Sequence, residues 1–171
     1  SVFKQPARLL HVAPEPQLAR VLKSSPNIKY VSADLFEAGV MSRLDIQKTP
    51  FADQTFDVVL CNHVMEHVSD DSVAMAEVHR ILKPGGWAML QVPIALRLDH
   101  TIEDPTATTD AQRIERFGQE DHVRLYSRRD YIQRLQAAGF EVKAESYPAT
   151  LGSETVGRFG LVEDEEGAQA G

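Results

Sequence analysis

The run Phe56-Asp57-Val58-Val59-Leu60-Cys61 sets the tightest limit on what this chain can fold into. It is too short for a core helix and carries a single charge, and its apolar side chains point to both sides. A strand of that kind has both faces covered, which is the situation of strands in parallel sheets flanked by crossover segments. The rest of the pattern agrees. Residues 8–13 form a short apolar run broken by Pro14-Glu15-Pro16, and residues 17–23 follow with Leu18, Val21 and Leu22 at helical spacing. Strands are read at 29–33 and, briefly, at 42–46. A helix is read at 72–82, halted by Lys83-Pro84-Gly85-Gly86. A strand at 87–93, a helix at 127–138 closed by Gly139 and a strand at 140–147 complete the alternation. Such alternation predicts an α/β fold with a mostly parallel central sheet and helices on both faces. Residues 155–162 read as a remnant of a final antiparallel strand.

The remaining bulk properties narrow the function. The 171 residues fit one domain, 1–171, and the formal net charge of −7 argues against nucleic acid as a partner. Cys61 is the single cysteine, and no apolar run approaches the length of a membrane span. A soluble protein without membrane contact, in the reducing cytoplasm, is the expectation. The sequence is silent on oligomeric state. Residues 163–171, acidic at Glu163-Asp164-Glu165-Glu166, read as a solvated tail without order. Residues 95–126 are polar and long for a connection, which predicts an irregular substrate lid.

Three carboxylates follow strand ends: Glu15, Asp34 and Asp45. In sheets that bind nucleosides, an acidic side chain after the second strand accepts hydrogen bonds from the ribose hydroxyls. Any one of these carboxylates is explained as well by helix capping.

The segment 45–60, with Asp45, Thr49-Pro50-Phe51 and Phe56-Asp57, resembles the class I S-adenosylmethionine-dependent methyltransferases, in particular the small-molecule enzymes of methyltransferase type 11. Asn62-His63-Val64-Met65-Glu66-His67-Val68 is similar to the family's segment after the fourth strand. Arg80-Ile81-Leu82-Lys83-Pro84-Gly85-Gly86-Trp87 resembles its RxLKPGG signature, and residues 128–140 its late helix and strand. The likeness spans residues 8–147 and implies a Rossmann-like fold that takes S-adenosylmethionine and transfers its methyl group to a small-molecule acceptor. It also implies a set of cofactor contacts. His11, Ala13, Pro14 and Glu15 would wrap the methionine part. Asp34 would bind the ribose and Leu35 pack on adenine, while Asp45 and Ile46 address the adenine edge. Asn62 and His63 would lie beneath the sulfonium. Acceptor-side catalytic candidates are His67, His122 and Tyr126, histidine being suited to proton transfer near neutral pH.

The first loop departs from the family. His11-Val12-Ala13-Pro14-Glu15-Pro16-Gln17 has no glycine, and histidine replaces the usual acid. Glu15 is then the residue to hold the cofactor's ammonium. A degenerate loop leaves a rival reading, a non-catalytic binding module of the same fold. His63-Val64-Met65-Glu66-His67 also spells H-x-x-E-H, a zinc-peptidase pattern in the wrong context. Some methyltransferases carry Glu-x-x-Glu-His here and bind a divalent metal, so metal-assisted O-methyl transfer with His122 as a further ligand is a minor alternative. No metal ligand is assigned. Cys61 and Trp87 are read as core residues.

Overall fold

The computed structural model describes residues 4–143. The chain separates into two units, Ser1–Phe140 and Glu141–Gly171. Every element below belongs to the first, and residues 140–143 carry no helix or strand. Of the strand expected at 140–147, residues 140–143 are therefore not strand; the rest of it, the remnant at 155–162 and the acidic tail lie outside the described residues.

Five parallel strands form the sheet: β1 (Ala7–Val12), β2 (Ile28–Asp34), β3 (Ser42–Arg43), β4 (Phe56–Cys61) and β5 (Leu82–Met89), in the order β3-β2-β1-β4-β5. The expected α/β architecture is present. α1 (Pro16–Ser24) joins β1 to β2, and α2 (Asp71–Ile81) joins β4 to β5. Because strand order runs one way from β1 and the other way from β4, right-handed crossovers put α1 and α2 on opposite faces. The reversal between β1 and β4 opens a crevice beyond the strands' C-terminal ends. Sheet centrality explains why β4 is apolar throughout. Val59 and Cys61 are fully buried there, level with Leu10 and Val12 of β1. Burying a Leu or Val side chain contributes roughly 1.5–3 kcal/mol.

Local chemistry sets the element ends. Pro16 opens α1, where its missing N–H costs no hydrogen bond. The Asp70 carboxylate caps α2 by accepting from the Val73 N–H at 3.1 Å. The Lys83–Gly86 stretch, expected as a turn before the strand, lies inside β5 as a bulge. Gly85 has φ +77°, and a Cβ on Gly86 would stand 2.9 Å from the Asp57 carbonyl oxygen, so a side chain there would force β4 and β5 apart. Trp87 is 45% exposed, which corrects its reading as core: β5 is the last strand of the described sheet.

Residues 95–126 are more ordered than an irregular lid. They contain α3 (Asp110–Phe117), opened by a capping box between Thr109 and Gln112, and a small antiparallel pair of β6 (Ile102–Glu103) and β7 (Arg124–Leu125). α4 (Arg128–Ala137) follows, capped by Ser127. No helix among the described residues is long and apolar enough to cross a membrane.

Candidate functional site

A pocket of about 530 Å³ opens at the C-terminal rim of the sheet. Ala13, Asp34, Leu35, Asp45, Ile46 and His63 line it, all expected from sequence as cofactor contacts. They come from loops after four different strands, and the crevice of the strand-order reversal gathers them. Phe36, exposed at its lip, and Leu44 extend the apolar wall.

The glycine-free first loop reaches the shape a glycine would give. Ala13 has φ +48°, in the left-handed region, while its N–H is held by the Ala33 carbonyl at 2.9 Å. His63, after β4, is also left-handed at φ +54°, with its N–H on the Gln91 carbonyl at 2.8 Å. Of the three described non-glycine residues with this costly backbone, Ala13 and His63 line the pocket, while Gln54 sits in the turn before β4.

His11 does not reach the pocket, which corrects its assignment as a cofactor contact. It is fully buried; Nε2 donates to Glu15 Oε2 at 2.6 Å, and Nδ1 pairs with the Tyr30 hydroxyl at 3.1 Å. Glu15 Oε1 in turn accepts from Asn62 Nδ2 at 3.1 Å. Burial works against the Glu15 charge. Hydrogen bonds from Asn62, its own backbone and His11 outweigh that, and they hold the carboxyl below its ordinary value. None of the three is among the residues that line the pocket; together they brace the β1 loop against the end of β4. Pro14 lines a neighbouring cavity of about 720 Å³, which shares Ala13 and Asp34 with the first.

The other two carboxylates are pre-set by their loops. Asp34 Oδ1 accepts from the N–H groups of Phe36 and Glu37 at 2.7 and 2.8 Å. Asp45 Oδ1 accepts from the Gln47 N–H at 2.8 Å. Gln47 Oε1 then takes the Ser69 hydroxyl at 2.9 Å and the Asp70 N–H at 3.0 Å, joining the β3 loop to the segment after β4.

Of the acceptor-side candidates, His67 lines the pocket. Its Nδ1 lies 3.2 Å from both the carbonyl and a carboxylate oxygen of Asp121. His122 is buried against it, edge to face, with ring centroids 4.8 Å apart. Burial, and then the neighbouring His67, lower the His122 pKa from its ordinary value. Tyr126 is not placed to meet an acceptor. It is fully buried, its hydroxyl donating to Asp71 Oδ2 at 2.6 Å and lying 3.1 Å from the Met65 carbonyl oxygen. Burial and the Asp71 carboxylate push its pKa far up, so the tyrosine acts as a clamp.

These observations fix the frame: a β3-β2-β1-β4-β5 parallel sheet with carboxylates after β2 and β3 at one crevice. The sequence pattern of the methyltransferase domain family matches residues 5–145. The chain belongs to the class I methyltransferase family.

Among curated relatives, this methyltransferase domain is 32% identical over 96 residues to the uncharacterized protein YafE of Escherichia coli, covering 56% of the chain and 44% of YafE. The chain thus spans under half of that relative's length. Two solved structures share its fold. YcgJ of Bacillus subtilis superposes with a TM-score of 0.59 at 21% identity, over 96% of this chain and 76% of YcgJ. The 1,6-didemethyltoxoflavin N1-methyltransferase of Burkholderia thailandensis, solved with S-adenosylhomocysteine bound, gives 0.59 at 18%, over 82% and 64%.

The segment that most resembles the methyltransferase family serves as scaffold. Arg80 donates to Glu77, Asp53 and the Phe51 carbonyl, which pins the turn before β4. Lys83 Nζ donates to Asp57 at 2.8 Å, beside the Arg8 N–H on the same carboxylate. Cys61 is a core thiol, and burial pushes its pKa well up. Sequence reasoning missed Gln47 and Arg124. Arg124 is buried and donates to the carbonyls of Met65, Val68 and Ser69, so it holds the whole segment after β4. Nothing local to Arg124 in the sequence points to this, because the acceptors lie more than fifty residues away.

Proposed function

We propose that this methyltransferase domain binds S-adenosylmethionine in the 530 Å³ pocket and directs its methyl group to a small-molecule acceptor. The observation that carries this reading is the convergence of Ala13, Asp34, Leu35, Asp45 and Ile46 on one pocket. The residues suit the cofactor. An adenine ring needs an apolar slot with few polar contacts, and Leu35, Leu44 and Ile46 offer one beside the Asp45 carboxylate. Asp34, steadied by two N–H groups on Oδ1, keeps Oδ2 for the ribose hydroxyls. Glu15, 42% exposed, is the acid beside the Ala13 turn, and taking up the ammonium would draw its carboxylate from His11 and Asn62. The left-handed Ala13 supports an intact loop over a degenerate one, since it keeps the backbone close to the ligand without glycine.

The bound cofactor supplies an electrophilic methyl group on a sulfonium. The protein contributes placement: an acceptor atom held in line with that carbon reacts faster through proximity and exclusion of water. Where the acceptor must lose a proton, His67 on the pocket wall is the group placed to take it. The net charge of −7 favours a small acceptor over nucleic acid.

Calorimetry with S-adenosylhomocysteine tests the reading. Saturable binding of one ligand per chain is expected, and Asp34→Ala should weaken it at least about tenfold through the lost ribose contact. Absence of binding at millimolar ligand, or unaltered affinity in Asp34→Ala, sinks the placement.

A further inference from the structure

Glu66 is 1% exposed, and neither of its carboxylate oxygens has a hydrogen-bond partner among the described residues. A bare buried carboxylate is unfavourable and calls for a compensating partner, a role that a cation fills. Its neighbour His63 does not fill that place: Nδ1 stands 3.4 Å from Oε1, longer than a charge-assisted hydrogen bond, on a side chain 57% exposed. Beside Glu66 stand two imidazoles. One ligating atom from each of Glu66, His67 and His122 lies within 4.8 Å of the others.

The geometry points to a divalent-cation site formed by Glu66, His67 and His122 on the wall of the cofactor pocket. Its two arms are locked together by backbone. The Val123 N–H donates to the Glu66 carbonyl at 2.9 Å, and Arg124 donates to the carbonyls of Met65 and Val68 on either side. A cation there would bind to a preset frame. Donor atoms around bound zinc stand about 3.3 Å apart, given metal–ligand distances of about 2.0–2.1 Å. Closing the 4.8 Å cluster onto an ion asks the donor atoms to draw in by at most about 1.5 Å. The outer contact is also in place: His67 Nδ1 faces the carbonyl and carboxylate oxygens of Asp121, the kind of acceptor that orients a ligating imidazole. Two nitrogens and one carboxylate oxygen suit zinc, manganese, iron or cobalt rather than calcium or magnesium, which prefer oxygen donors. Of the three ligands His67 lines the pocket, so the site borders it there. The site stands without methyl transfer, and an ion bound there would occupy His67 and leave it no lone pair to take a proton from an acceptor.

The test uses the full chain without an affinity tag, stripped with chelator. Zinc and manganese are titrated by calorimetry, and cobalt by visible absorption and paramagnetic proton NMR. One ion per chain is expected, with a cobalt absorption band and shifted N–H signals from two imidazoles. Glu66→Gln and His122→Ala should each weaken binding at least about tenfold, and His122→Ala should remove one shifted N–H signal. Thermal melting of each variant establishes that it is folded, and the wild-type NMR pattern reads the ligands with no variant at all. Absence of saturable binding at millimolar metal, or a cobalt spectrum unchanged in folded Glu66→Gln and His122→Ala, overturns the site. S-adenosylhomocysteine binding, measured separately, shows whether the cofactor reading stands or falls independently.

Discussion

Asp71 and Glu66 are both buried carboxylates on the stretch that leaves β4, yet their surroundings are opposite. Asp71 Oδ2 receives the Tyr126 hydroxyl at 2.6 Å and the Arg134 guanidinium at 2.7 Å, with Arg124 Nε 3.7 Å away. Glu103 completes this cluster by accepting from both arginines. Glu66, one turn nearer the pocket, has bare oxygens and two histidines beside it. Burial alone therefore does not separate structure from function. What separates them is whether the protein itself satisfies the buried charge. Asp71 ties 65–71 to the strap at 124–134; Glu66 finds no hydrogen-bond partner for its oxygens among the described residues.

Four measurements break or sharpen this contrast. Removing the satisfied carboxylate should do the most damage. Asp71→Ala strands two guanidiniums and a buried hydroxyl, and urea unfolding should show a loss of about 3–5 kcal/mol; a loss under 1 kcal/mol would erase the distinction. Tyr126→Phe removes one donor from the same cluster and is expected to cost about 1–3 kcal/mol in the same assay. Glu66→Met should act with the opposite sign. In chelator, replacing a bare carboxylate by an apolar side chain of similar size should raise stability by roughly 1 kcal/mol, and a clear destabilisation would show that Glu66 has a structural partner after all.

The smallest effect concerns acid. Hydrogen bonds from Arg134, and then Arg124, outweigh burial and hold the Glu103 carboxyl down at about 2, against an ordinary value of 4.5. A folded-state pKa below the unfolded one stabilises the protein above the unfolded value, and that stabilisation fades as pH falls toward the folded value. Denaturant midpoints should therefore decline between pH 4.5 and 2, and Glu103→Gln should flatten that limb. An unchanged slope would detach Glu103 from the Asp71 cluster.

Much of the fold was legible because it rests on local pattern. The apolar β4, the helix read at 17–23 and the helix read at 72–82 each rest on spacing within a few residues. β3 was read longer than it is: only Ser42 and Arg43 pair, through Ala33 and Asp34, and the chain then turns into the pocket loop. The candidate site was half legible. Asp34, Leu35, Asp45 and Ile46 fall at strand ends, where a parallel sheet always puts its ligand loops. His11 and Tyr126 were misplaced because each was judged by residue type. Tyr30 and Glu15 for the one, and Asp71 and Met65 for the other, hold groups that looked chemically available.

The sequence by itself determined a parallel α/β sheet, the family to which it belongs, and the loops that face the crevice. Periodicity and strand-end position are local properties, and the segment 45–87 carries them densely. The tertiary structure decided which buried charges are answered. Ala13 takes a glycine's backbone shape because Ala33 holds its N–H. Asp71 is satisfied by Tyr126 and Arg134 from 55 and 63 residues away, and Glu66 meets His122 only because Val123 is hydrogen-bonded to it. Those partners are brought together by the strap folding back over the end of β4, a packing event to which no local pattern points.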